Sequence, residues 1–114
     1  MDNREQKIEA AKVLNEFLES LIEDIKDIVE MFRDDNVEKA LTYMPNIAGA
    51  LKDVFDATEE IKDILKDNFN KDEYLNSVSE LVESLENNDY VLLADLLEYE
   101  IVPMLINLKD INLD

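Results

Sequence analysis

Ala11, Leu14, Leu18, Leu21, Ile25, Ile28 and Phe32 follow one another at alternating steps of three and four. At 3.6 residues per turn, that spacing holds one side of an α-helix toward a partner, and it predicts a first helix from about Asn3 to Arg33. Ile8, Ile22 and Val29 widen the stripe beyond the narrow seam of a two-stranded coiled coil, so a globular bundle is expected. The single Gly and two Pro agree, since a β-rich chain needs many turns.

The same rhythm returns in Val37, Ala40, Met44, Ile47, Leu51, Val54, Thr58, Ile61 and Leu65. It crosses Pro45 without losing register. In a regular helix interior Pro removes a donor and crowds the carbonyl four residues back, at a cost of ~3 kcal/mol. Either Pro45 kinks one long helix, or a short helix ends near Thr42 and another starts with Pro45 in its first turn. Asp34, Asp35 and Asn36 break the first stripe and offer N-cap side chains to the second. A loop over residues 67–73 precedes a third helix, about Asp72 to Glu86, with Tyr74, Val78, Leu81 and Leu85 inward and Leu75 and Val82 flanking. Asn87, Asn88 and Asp89 make the next turn, and a fourth helix runs from about Tyr90 to Lys109.

Short turns make consecutive helices antiparallel neighbours, so the expected fold is an all-α, up-down-up-down four-helix bundle with Pro kinks in its second and fourth helices. One domain spans 1–114, built from hairpins over about 3–67 and 72–111. The hairpins align at an offset of 53, where Leu21, Ile22, Ile25, Ile28, Val29, Phe32 and Val37 fall on Tyr74, Leu75, Val78, Leu81, Val82, Leu85 and Tyr90. Any two amphipathic helices can be slid into phase, and with few identities that coincidence is preferred to a duplication.

Several chemistries are excluded by missing residue types. Without Cys there is no disulfide or thiol chemistry, and without His the commonest general base and metal ligand are gone. The di-iron centres of helical bundles use Glu-x-x-His motifs, which this chain cannot contain. Asn68, Asn70 and Asp72 alternate like calcium ligands, but Glu73 and Ser79 stand where an EF-hand loop needs its Gly and its bidentate Glu. Gly49 is the only glycine, so no phosphate-cradling loop exists; with Ala48 and Ala50 it reads as helix packing. No Ser or Thr has an evident base beside it. The expectation is therefore a protein that is not an enzyme and carries no cofactor, catalytic residue or metal.

The formal charge is −18, from 29 acids against 11 bases. That excess of acids opposes binding to nucleic acid and to anionic membrane surfaces, so neither is an expected partner. No apolar run approaches the roughly 20 residues that cross a bilayer, and the charged start MDNREQKIEA lacks the features of a signal peptide. A cytoplasmic location follows as the simplest expectation.

The segment LLADLLEYEIVPML, residues 92–105, is the most apolar. Leu93, Leu97, Ile101, Met104, Leu108 and Ile111 make one stripe of the fourth helix, and Leu92, Leu96, Tyr99, Pro103 and Ile106 a second, about 100° around it. The second stripe is either covered by the longer first hairpin or meets another molecule. Acids surround it: from Asp72 to Leu108 there is no Lys or Arg, and residues 71–114 hold eleven acids against Lys71 and Lys109, a net −9. An apolar strip rimmed by carboxylates suits a basic amphipathic helix laid in a groove. Leu92, Leu96, Tyr99, Pro103, Ile106 and Glu98 are the expected partner-binding residues.

The stretch NNDYVLLADLLEYEIVPML resembles the C-terminal helix of an uncharacterised family of small acidic all-helical proteins from clostridia and related Gram-positive bacteria. The resemblance covers nearly the whole chain but brings no functional residues with it; some such proteins are encoded near motility genes. The expected function is non-enzymatic protein binding through the fourth helix and the acidic second hairpin, in an export-chaperone-like or motility-associated role. The alternatives are an acidic nucleic-acid mimic that binds a basic protein, and a structural homodimer joined through the fourth helix.

Overall fold

The computed structural model describes residues 3–112 and is an all-α four-helix bundle. The first helix, α1, spans Asn3–Arg33, and at 1.5 Å per residue its 31 residues account for most of the molecule's 49 Å length. Its buried side chains are Ala11, Leu14, Leu18, Leu21, Ile22, Ile25, Ile28, Val29 and Phe32. That broad face lets α1 touch the second helix on one side and the fourth on the other, so α1 is the spine of the core.

Helix α2 spans Val37–Ile61 and continues through Pro45 as one helix. It buries Ala40, Met44, Ile47, Leu51, Val54, Thr58 and Ile61, and the Thr58 hydroxyl donates to the Val54 carbonyl (2.7 Å), so this polar group costs little inside. The α-helix stops at Ile61, earlier than the stripe to Leu65 implied, and Lys62–Ile64 tightens into a 3₁₀ turn. Lys7 reaches Asp63 at 2.9 Å, tying the start of α1 to the end of α2 in an antiparallel pair.

Helix α3, Lys71–Glu86, starts where Asn70 accepts a hydrogen bond from the Glu73 amide (3.0 Å). The carboxamide that resembled a calcium ligand is thus a helix cap. Tyr74 anchors this helix to α2: its hydroxyl donates to the Leu51 carbonyl (2.7 Å), and its ring meets Phe55 and Phe69 at centroid distances of 5.8 and 5.6 Å. Burial pushes the Tyr74 phenol far above its ordinary pKa, so it stays a donor. Tyr74, Leu81 and Ser84 are the buried residues of α3; Leu75 and Val82 face outward.

The fourth helix has three parts: α4 (Tyr90–Leu96), a π-helical turn (Leu97–Ile101) and α5 (Val102–Asn112). It runs back along α1. Phe32 stacks on Tyr90 at 6.0 Å, Lys109 pairs with Glu19 at 2.9 Å, and the Asn112 amide donates to the Ala11 carbonyl at 2.7 Å.

The two hairpin turns are built alike. Asp35 and Asn88 both take positive φ (61° and 55°), the Asn36 amide donates to the Met31 carbonyl, and the Asp89 amide donates to that of Ser84. These six-to-one bonds close helix ends in a common motif, and the two turns stand at the same offset of 53 as the apolar stripes. The caps that follow differ: Asp89 accepts from the Leu92 amide, whereas Asn36 makes no side-chain cap bond, against expectation. Gly49 also departs from its packing role. A Cβ built there meets nothing within 4 Å, so no neighbouring helix in this molecule needs the missing side chain.

Candidate functional site

The chemistry of the site begins with Pro103. Without an N–H it cannot bond to the Tyr99 carbonyl, and its ring would crowd that oxygen in a regular ladder. The chain widens just before it: the Val102 amide donates to the Leu97 carbonyl, five residues back, which places one extra residue in the turn. One residue is about 100° of helix, so everything after the turn is set back by about that angle.

That shift alters the expected stripes beyond the turn, while Leu93, Leu97, Ile101 and Leu108 are buried as expected. The core side of the fourth helix is Leu93, Leu97, Ile101, Leu105, Leu108 and Asn112, with Ala94, Leu96 and Val102 beside it. Met104 and Ile111, expected inside, are half-buried, while Leu105 and Val102 are in the core. Of the expected partner-binding residues, Leu96 is a correction: at 8% exposure it belongs to the core. Leu92 (44%), Tyr99 (65%) and Ile106 (41%) are exposed, as is Pro103. They do not form one line, because the π turn rotates Ile106 away from the direction of Leu92.

The rim is also less uniform than the sequence indicated. Arg33, from the end of α1, pairs with Asp95 (2.9 Å) and with Glu98, and its guanidinium lies 5.8 Å from the centre of the Tyr99 ring. Desolvation works against the Arg33 charge, but the hydrogen bond to Asp95 and the charge of Glu98 outweigh it and hold its pKa above the ordinary value. Glu98, expected to meet a partner, therefore meets Arg33. In sequence these residues lie 65 apart, and only the antiparallel return of the fourth helix joins them.

On the other flank a groove of about 870 Å³ separates α3 from the π turn and α5. Phe69, Asp72, Glu73, Asn76, Ser77 and Glu80 make one wall; Tyr99, Glu100, Pro103, Met104, Asn107, Leu108 and Ile111 make the other. Among the described residues no Lys or Arg lines it. Glu100 has its pKa raised by burial first, then by the charge of Glu80 and a hydrogen bond with it. Sequence inspection passed over Glu80 and Glu100 because they are 20 positions apart on different helices.

This pair has a consequence for stability. A carboxyl whose folded pKa lies above its unfolded value penalises the fold at pH values above the folded pKa, and the penalty fades as pH falls toward the unfolded value. Replacing Glu80 by Gln should thus raise the melting temperature at about pH 7, and the gain should shrink at about pH 4.5, near the ordinary Glu value. Melting curves of both proteins at the two pH values check this; an equal gain at both would show that the carboxyls do not interact.

Among the described residues, no three His, Cys, Asp or Glu side chains converge to hold a metal ion, and no helix is long and apolar enough to cross a membrane. What the geometry defines is an all-α four-helix bundle whose last helix carries a π turn beside an acid-lined groove. The chain belongs to the family described as a domain of unknown function (DUF8042), which matches residues 9–111. That span starts just before Ala11, the first core residue of α1, and takes in the groove and the π turn. No curated protein and no solved structure matches the chain.

Proposed function

We propose that this protein is a non-enzymatic binding module that docks another protein on its second hairpin. The observation that carries the reading is Tyr99, a large aromatic 65% exposed at the π turn, with Arg33 and its partners Asp95 and Glu98 on one side and the acid-lined groove on the other. Exposed aromatics are common anchors of interfaces, and a rim of one charge sign steers a partner of the opposite sign. Leu92 and Pro103 extend the apolar part, and the acids of α3 extend the rim. The partner is a basic protein segment, with neither nucleic acid nor a membrane surface as the target. A cytoplasmic, bacterial, export-chaperone-like or motility-associated role is the specific form of this reading. Exposed apolar residues among the acids favour docking over nucleic-acid mimicry, which would use carboxylates alone. The net charge of −18 opposes a homodimer joined through this face.

The test compares affinity capture from the native cells by wild type and by Tyr99→Asp. The wild type should retain a basic protein that the variant, equally stable, loses. If both capture the same proteins, Tyr99 is not part of a docking surface and the reading fails.

A further inference from the structure

The groove between α3 and α5 has two unlike walls, and they share a repeat. Asp72 and Glu73 stand at one end of the α3 wall and Glu80 near the other, seven or eight residues apart, about 11 Å along the helix. Met104 and Ile111, half-buried on the facing wall, are also seven residues apart. An object that satisfies both walls must offer cations on one flank and apolar groups on the other, each repeating at about two helical turns.

The electrostatics point the same way. Glu80 and Glu100 face the same groove from its two walls, and no Lys or Arg among the described residues lines it. Carboxylates that face one another across a shared groove repel unless a proton or a cation offsets their charge. The fold supplies Arg33 to Asp95 and Glu98 on the opposite flank, and Lys109 to Glu19. A Lys or Arg from outside would complete the groove's own set.

We propose that this groove takes a cationic amphipathic helix of about three turns, with Lys or Arg at i and i+7 facing α3 and apolar residues facing Met104 and Ile111. The proposal rests on the protein-binding reading above and moves the contact from the outward face of the fourth helix to the cleft beside it. A polyamine would use the carboxylates but gain nothing from the apolar wall. A second copy of this chain is opposed by its charge.

The probe is a fluorescein-labelled synthetic peptide of about 14 residues, with two Lys seven apart and Leu on the adjoining face. Its control is a scramble of equal composition and charge, which sets aside the general attraction of any cation to so acidic a protein. Fluorescence anisotropy at about 0.15 M salt should show the designed peptide binding at least about tenfold more tightly than the scramble. The double variant Glu73→Gln, Glu80→Gln, which changes two exposed side chains, should lose that advantage. Equal binding of peptide and scramble overturns the proposal, as does full binding by the double variant. Displacement of both peptides alike by spermine, with the same sensitivity to the variant, would mark a polyamine site and also overturn it. If the double variant still captures the cellular protein that Tyr99→Asp loses, the groove assignment falls while the binding function stands.

Discussion

Leu96→Asp should lower the melting temperature by about 15 °C, whereas Tyr99→Asp should move it by no more than about 5 °C. The two residues are three positions apart on the same expected apolar stripe, yet their surroundings are opposite. Leu96 is packed in the core beside Leu93 and Leu97, so an aspartate there loses the apolar burial and leaves a charge without a partner. Together these cost about 4 kcal/mol, a large part of a total stability of roughly 5–15 kcal/mol. Tyr99 gives up mainly its contact with the Arg33 guanidinium, worth about 0.5–1 kcal/mol at an exposed site, and a carboxylate in its place stays near the same cation. Thermal melts followed by circular dichroism read both. A stable Leu96→Asp protein would mean that the fourth helix is seated on a different face.

A one-residue deletion in the π turn should be tolerated, although the same edit in an ordinary helix should not. Removing Tyr99 and replacing Pro103 by Ala lets Leu97–Ile101 close into a regular ladder, while Leu105, Leu108 and Asn112 keep their places in the core. The substitution is needed because Pro103 would otherwise sit in a regular helix interior, at a cost of ~3 kcal/mol. The combined change should stay within about 2 kcal/mol of the wild type. Deleting Glu23, an exposed residue of α1, instead turns Ile25, Ile28, Val29 and Phe32 by about 100° relative to Leu14 and Leu18. Exposing four such side chains costs on the order of 6–12 kcal/mol, enough to unfold the chain. Denaturant titration of the two deletions checks the contrast. Equal collapse of both would show that the π turn does not hold the register of the last helix.

Most of the bundle was legible because helix formation and amphipathic facing are local properties. Every buried residue of α1 lies on the expected stripe, and in α2 even Thr58 is inside where the rhythm placed it. The end of α1 and the starts of α2 and α4 match the turns read from Asp34–Asn36 and Asn87–Asp89.

The candidate site was legible only in outline. The acidic second hairpin could be anticipated, and the exposure of Leu92, Tyr99, Pro103 and Ile106 was one of two outcomes the stripe left open, but the burial of Leu96, the rotation of Ile106 and the occupation of Glu98 by Arg33 could not be read. Periodicity along one helix states which residues share a face, and so it sufficed for the core of the first hairpin. It assumes a constant turn angle, which the widened turn before Pro103 violates. It is also silent on which distant side chains meet. The pairing of Arg33 with Asp95 and Glu98, and the placing of Glu80 and Glu100 on one groove, were decided by how whole helices dock, because charges far apart in the chain interact only once packing has brought them close.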